Sequence, residues 1–177
     1  QAETRAAVGL LTRSIRVVSA GDTYGAPFTE TPGNFIGGHT VVRQGAKQVQ
    51  LQGVEFFQLG QGGRMAHYPV HFHMARRVPS DTFVRDCSVH DSMTRWYVLH
   101  ATQGVTLERN VGFRSIGHGY YIEEGSETDN LFHANLGDGS SCQYALLAAL
   151  SVRGVAVVAS EHSPMGVRSE LSRRIKS

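Results

Sequence analysis

Cysteine is nearly absent: Cys87 and Cys142 are the two in 177 residues. They make neither a disulfide framework nor a CxxC metal pair, and they leave the redox compartment open. Proline is scarce at 5, and charged residues make up 18% against 20 glycines. That balance excludes a disordered chain and fits a folded, turn-rich protein. Charge of one sign is also lacking, since 17 basic and 15 acidic residues leave a formal +2. No basic block stands out before the tail, so nucleic acid is not implied as a partner. No apolar run approaches the roughly 18 residues of a membrane span. The chain begins at Gln1 with no methionine and no signal-like segment, as a mature or excised piece of something longer would. Clear helical periodicity is missing until about residue 143. What remains is a chain long enough for one domain with a real core.

What is present is a series of short β-branched runs separated by turn residues. IRVV (Ile15–Val18), HTVV (His39–Val42) and QVQLQGVEF (Gln48–Phe56) come first; FVRDCSVHDS, TLERNVGFRS and NLFHANLG follow. Superposed, these runs reveal a repeat. Phe83–Ser92 lies over Thr106–Ser115 at an offset of 23, so Asp86, Cys87 and Val89 fall on Arg109, Asn110 and Gly112. Leu131–Gly137 falls on Thr106–Gly112 at an offset of 25, which places Asn135 on Asn110. Gln50–Leu59 fits the same frame with a longer intervening loop. A period of 20–30 residues built from strands predicts a solenoid, each repeat one coil of a parallel β-helix. A single coil cannot bury its apolar face, whereas stacked coils share a continuous core. Asn110 and Asn135 are expected as turn residues in an internal amide ladder, because identical polar side chains satisfy one another. Residues 21–38, GDTYGAPFTETPGNFIGG, read as a loop leaving an early coil.

The repeat frame is lost after Gly137. The expected organisation is β-helix repeats over residues 1–142 and a divergent tail over 143–177, either a cap, the cut end of a longer solenoid or disordered. Gln143–Ala159 is rich in Ala, Leu and Val, Ser160–Ser177 is basic and polar, and Ser169–Lys176 reads as a short helix.

Chemistry concentrates at YPVHFHM, Tyr68–Met74. In a strand, His71 and His73 leave on the same face. The offset of 23 lays RWYVLHA (Arg95–Ala101) over HGYYIEE (His118–Glu124), with Tyr97 on Tyr120, Leu99 on Ile122 and His100 on Glu123. An offset of 27 carries His100 back to His73. His73, His100 and Glu123 thus form one column across three coils about 4.8 Å apart, with His71 beside it and His118 five residues before Glu123. Imidazoles with a carboxylate suit a divalent metal, or an acid–base pair in which the carboxylate orients the imidazole. An ordinary ladder on a solvated β face is the alternative, and His39, His67, His90, His133 and His162 show that this chain uses histidine freely. Trp96, Tyr97, Tyr120 and Tyr121 lie near the column, beside Glu123, Glu124 and Glu127. They suit either sugar rings or cross-coil packing. Arg64, Arg76, Arg77 and Arg95 suit an acidic polymer or scattered surface charge.

YPVHFHM, VRDCSVHDS, VLHATQGVTLERNVGF and SIGHGYYIEEGSETDN, in that order, resemble the β-helix region of the cell-migration-inducing and transmembrane hyaluronidase family. They also resemble bacterial proteins carrying the same β-helix behind a glycine-rich domain named for eight glycines. The resemblance covers roughly Val8–Gly137; the glycine-rich domain itself is not evident, and the chain after Gly137 does not continue the pattern. It implies a right-handed parallel β-helix, a secreted or extracellular setting, and action on or binding of a glycosaminoglycan-like polysaccharide. The matching positions are His71, His73, His100, His118, Glu123 and Glu124. The resemblance brings no catalytic roles with it. GHG (Gly117–Gly119) and RIK (Arg174–Lys176) also look like polygalacturonase motifs. Those enzymes need paired aspartates that are missing before GHG, so matches this short are chance.

The expectation is therefore an all-β, right-handed parallel β-helix that cleaves glycosidic bonds of an extracellular acidic polysaccharide on its outer face. His71, His73 and His100 would hold a divalent metal of unspecified identity. His100, Glu123 and His118 would do the acid–base work, with His118 as proton donor. Arg95 and Tyr97 or Tyr120 would contact the sugar. The rival is a non-catalytic carbohydrate-binding or structural β-helix module of a larger protein, since function lives in the site rather than the fold.

Overall fold

A computed structural model describes residues 7–19, 36–140 and 158–159. Most of the 21–38 loop, the expected boundary at residue 142, Cys142, His162, the Ser169–Lys176 helix and RIK lie outside them. The described residues contain fourteen strands and no helix. None of these elements is a helix long and apolar enough to cross a membrane.

The strands wind through three parallel sheets. The first sheet holds β1 (Ile15–Val18), β4 (Val54–Phe57), β7 (Ser88–Ser92), β10 (Val111–Ser115), β13 (Leu136–Ser140) and β14 (Val158–Ala159), adjacent in that order. The second holds β2 (Thr40–Arg43), β5 (Val70–Arg77), β8 (Tyr97–Gln103) and β11 (Tyr120–Ile122). The third holds β3 (Gln50–Gln52), β6 (Phe83–Arg85), β9 (Thr106–Glu108) and β12 (Leu131–His133). Each coil visits the sheets in turn, so every strand pairs with its counterpart one coil away. This is the expected parallel β-helix. The offsets read from sequence are the ones observed: Val111 pairs with Ser88 and with Leu136, Phe83 with Thr106, and Thr106 with Leu131. Val158 and Ala159 extend the first sheet beyond β13.

Alternation decides what is inside. In the second sheet Val70, Tyr97 and Tyr120 form one inward column and Phe72, Leu99 and Ile122 the next. All six are buried in the common core with Phe56, Val84, Val89, Leu107 and Phe132. The Tyr97 and Tyr120 rings stack 5.0 Å apart and nearly parallel, and their hydroxyls bond to backbone carbonyls. Trp96 lies inside as well, against Gly112, Gly119 and Gly137. A Cβ on any of the three would collide with the indole, so the close approach requires glycine there.

The corners are made by residues with positive φ at equivalent coil positions. Between the third and first sheets these are Gly53, Asp86, Arg109 and Ala134. Residues other than glycine tolerate this region only at a cost, offset here by what lies just inside the corner. Asn110 accepts from the Cys87 N–H at 3.1 Å and donates to the Val84 carbonyl at 2.8 Å. Its amide also donates to Asn135 Oδ1 at 3.1 Å. Asn135 repeats the pattern by donating to the Leu107 carbonyl at 2.9 Å and accepting from the Asn110 backbone at 2.9 Å. The expected amide ladder is present, and it satisfies backbone groups that the bend takes out of the sheets.

Removing one rung orphans several buried groups at once, each costing on the order of 1–3 kcal/mol. Asn110→Ala should lower unfolding free energy by about 3 kcal/mol or more, measured by urea titration. Asn110→Asp should be nearly as damaging, because it keeps the acceptor but loses the donor to Val84. Unchanged midpoints would show that the ladder contributes nothing.

Candidate functional site

Two outward columns run side by side across the second sheet. One is Val41, His71, Val98 and Tyr121; the other is Arg43, His73 and His100. Glu123 continues the second column just past β11, with its N–H bonded to the Leu99 carbonyl at 3.1 Å. Strand alternation puts both histidines of β5 outside, and parallel pairing lays His100 directly against His73. Register slips immediately after, between His73 and Arg76, where Met74 and the equivalent Ala101 have positive φ. A bulge at that point bends the strand and re-aims its side chains.

His71 is outward yet wholly buried, with 0% of its surface exposed. The connection between β4 and β5, residues 58–69, is long and folds back over it. The Tyr68 ring meets His71 edge-on at 4.8 Å, and Nδ1 donates to the Ala66 carbonyl at 3.0 Å. Ala66 itself sits at a φ of 67°. His71, His73 and His100 form a group whose potential ligand atoms all lie within 4.8 Å of one another. His73 Nδ1 and His100 Nδ1 are 3.1 Å apart. His100 Nε2 donates to Glu124 Oε1 at 2.9 Å, and its Nδ1 lies 3.5 Å from Glu123 Oε2. The other Glu123 oxygen lies 3.6 Å from Arg95.

Arg95 is held between two rings, 3.8 Å above Tyr121 and 4.7 Å from Tyr68, and donates to the Tyr68 hydroxyl at 2.9 Å. It lines a surface cleft of about 380 Å³ with Gly62, Gly63, Arg64, Tyr68 and His118. His118 packs against Tyr121, so it lies on the cleft side of Arg95, apart from the three-histidine group.

Burial sets the electrostatics. Desolvation, the largest influence, pushes the His71 pKa down to about 4 against the raising effect of the Ala66 hydrogen bond, and the neighbouring His73, His100 and Arg95 add to the lowering. His73 is lowered by desolvation, then by His100 and Arg43, against an opposing pull from Glu123. His118 is lowered by desolvation, then by Arg95. Neutral imidazoles are what a metal or a general base requires.

The structure thus brings together His71, His73, His100 and Glu123, with Arg95 adjoining. It does not bring Tyr97 or Tyr120 to the surface. At 1% and 4% exposed they stack inside the coil and cannot contact a sugar. Tyr97 stands three residues before His100, an odd spacing that puts it on the opposite face of β8. Of the four aromatics expected beside the column, the outward one is Tyr121, two residues before Glu123 and therefore on the same face. Trp96 is also internal, and Arg77 is paired with Asp129 at 2.5 Å. The Ala66 carbonyl had no signal in the sequence.

Comparison with known proteins agrees with this architecture. A family model described as CEMIP beta-helix matches residues 35–173. A G8 domain-containing protein of Dictyostelium discoideum is 43% identical over 135 residues, 76% of this chain and 8% of that protein. Communication mutant protein F of the same organism is 37% identical over 135 residues, 76% of this chain and 11% of its own length. Cell migration-inducing and hyaluronan-binding protein of Mus musculus is 34% identical over 146 residues, 76% of this chain and 11% of that protein. The chain spans between 8% and 14% of the length of the curated relatives it matches.

The depressed His71 pKa has a consequence for stability. The folded value lies below the unfolded 6.5, so the unfolded chain takes the proton more readily. The contribution is fully present above about pH 6.5 and is lost as pH falls toward 4. Urea unfolding of chelator-treated protein between pH 7 and pH 4 should show this slope, and His71→Gln should flatten it. An equal slope in the variant would place the effect elsewhere.

Proposed function

We propose that this chain, which belongs to the CEMIP β-helix family, is a polysaccharide-recognising β-helix module of a larger extracellular protein. The second sheet's outer face and the adjoining cleft form its binding surface. Arg95 carries this reading. A guanidinium fixed between two aromatic rings, with a hydroxyl on one of its nitrogens, is a preorganised cation that loses little freedom on meeting an anionic group. Arg64 lines the same cleft, while His118 and Tyr121 add the flat polar and aromatic surface that pyranose rings favour. The fit is to an acidic polysaccharide, and one relative of this chain is named for binding hyaluronan.

A second reading, cleavage at the same place, is favoured by one observation: Glu123 lies 3.5 Å from His100 Nδ1 at the edge of the cleft residue Arg95. A carboxylate beside an imidazole is the minimum for proton transfer to a leaving oxygen.

The two readings part in one experiment. The protein is titrated with hyaluronan, a polygalacturonate and a neutral glucan by calorimetry, and each mixture is then assayed for new reducing ends. Binding of an acidic polymer alone, weakened about tenfold or more by Arg95→Ala, supports the module; tenfold corresponds to about 1.4 kcal/mol. New reducing ends that disappear in Glu123→Gln support cleavage. No binding to any polymer, or binding indifferent to Arg95→Ala, overturns the proposal.

A further inference from the structure

We infer that His71, His73 and His100 form a nitrogen-rich site for a first-row divalent transition ion of the Zn²⁺ type, bound through His71 Nε2, His73 Nδ1 and His100 Nδ1. The inference is independent of whether a polysaccharide binds.

Three observations converge on those atoms. First, His71 Nδ1 must be a donor, because its partner is the Ala66 carbonyl. In a neutral ring this leaves the lone pair on Nε2. That nitrogen is buried and has no hydrogen-bond partner among the described residues. A buried, unpaired acceptor is destabilising, and a cation on it would remove that cost. Second, His100 is oriented the same way from the other side. Its Nε2 donates to Glu124, which leaves Nδ1 facing His73. An imidazole that ligates with one nitrogen while its other N–H meets a carbonyl or carboxylate is the usual arrangement around bound metals. Here it occurs twice, with Ala66 and Glu124 in the supporting role. Third, His73 Nδ1 donates to His100 Nδ1 at 3.1 Å, and an ion takes the place of that one proton when neutral His73 carries its hydrogen on Nε2 instead. Two nitrogens at 2.0–2.1 Å from a tetrahedral zinc are separated by about 3.3 Å, so the pair already spans one edge of that tetrahedron.

The donor set also selects the ion. Calcium and magnesium take oxygen ligands, so three imidazoles exclude them. Imidazole suits zinc, copper, nickel and iron. Glu123 Oε2, 3.5 Å from His100 Nδ1, is placed to supply a fourth, oxygen ligand or to hold a water in that position. The three ligands come from adjacent β5 and β8, paired in register. Strand geometry therefore brings the three rings together, and side-chain rotation closes the 4.8 Å span of their ligand atoms to the roughly 3.3 Å edge of a tetrahedral zinc.

The test uses the 177-residue chain stripped with a chelator and titrated calorimetrically with ZnCl₂, CaCl₂ and MgCl₂ at pH 7. One zinc site is expected, with no calcium or magnesium binding there. His73→Ala and His100→Ala should each abolish it. They are preferred to His71→Ala, which opens a buried position and risks unfolding; circular dichroism should show both variants folded. Glu124→Gln should weaken zinc about ten- to a hundredfold while leaving the melting temperature of the zinc-free protein unchanged, as expected of a positioning residue. Cobalt loaded in place of zinc should give the intense visible bands of a tetrahedral site, lost in His100→Ala. Zinc binding that survives both histidine substitutions would overturn the inference, as would calcium displacing zinc or octahedral cobalt spectra.

Discussion

Parallel, in-register pairing between successive coils is the constraint from which the rest of this structure follows. When Ser88, Val111 and Leu136 pair across neighbouring strands, every other residue of those coils is committed to a column about 4.8 Å per step. A column can be inward, outward or at a corner, and each type imposes its own chemistry. Inward columns must be apolar and fitted to one another, as with Phe72, Leu99 and Ile122, or Trp96 over its glycines. Corner columns must turn the backbone through positive φ and still satisfy the groups withdrawn from the sheets. Asn110 and Asn135 do so with one side chain above another. Outward columns are free of both demands, and for that reason chemistry collects there.

Stacking also explains why a cluster of ionisable groups can persist on a surface without a dedicated loop to build it. His73 and His100 meet because their backbones are hydrogen-bonded neighbours, and Glu123 follows because the next coil repeats the register. Bringing like groups together in this way costs something. Burial, and then the neighbouring His100 and Arg43, lower the His73 pKa. His71 and His73 are thereby biased toward neutral rings, and neutral rings are ligands and bases rather than cations.

Much of this was legible in the sequence, because a repeat makes the alignment of a chain with itself a statement about three-dimensional neighbours. Offsets of 23, 25 and 27 were enough to place Asn110 on Asn135 and His73 beside His100. Column membership was legible too, and so was facing. Tyr97 and Tyr120 stand at odd spacing from the histidine column, so the period of two already sent them inward. Of the two rings that grip Arg95, Tyr121 is among the aromatics beside the column, whereas Tyr68 lies in the turn before β5 and carries no repeat signal. What no pattern could show was the Ala66 carbonyl. It is a backbone group, on a non-glycine residue with positive φ, in a connection far longer than those from β7 to β8 and from β10 to β11. Nothing in the identity of an alanine signals that its carbonyl will fix the proton of a histidine five residues on.

That irregular connection is where the site gains its distinctive character. Between the first and second sheets, β7 joins β8 through residues 93–96 and β10 joins β11 through residues 116–119. The same corner between β4 and β5 takes residues 58–69. The regular corners are too short to cover an outer face. The long one folds back over β5, places Tyr68 against His71 and Arg95, and walls the cleft with Gly62, Gly63 and Arg64. Without it, His71 would be one more solvated histidine in an outward column, as His73 partly is. With it, one ring of three is dry, tautomerically fixed and held neutral. Regular coils thus supply the spacing between the functional groups and one insertion supplies their environment, so the chemistry of this face depends on a break in the repeat as much as on the repeat itself.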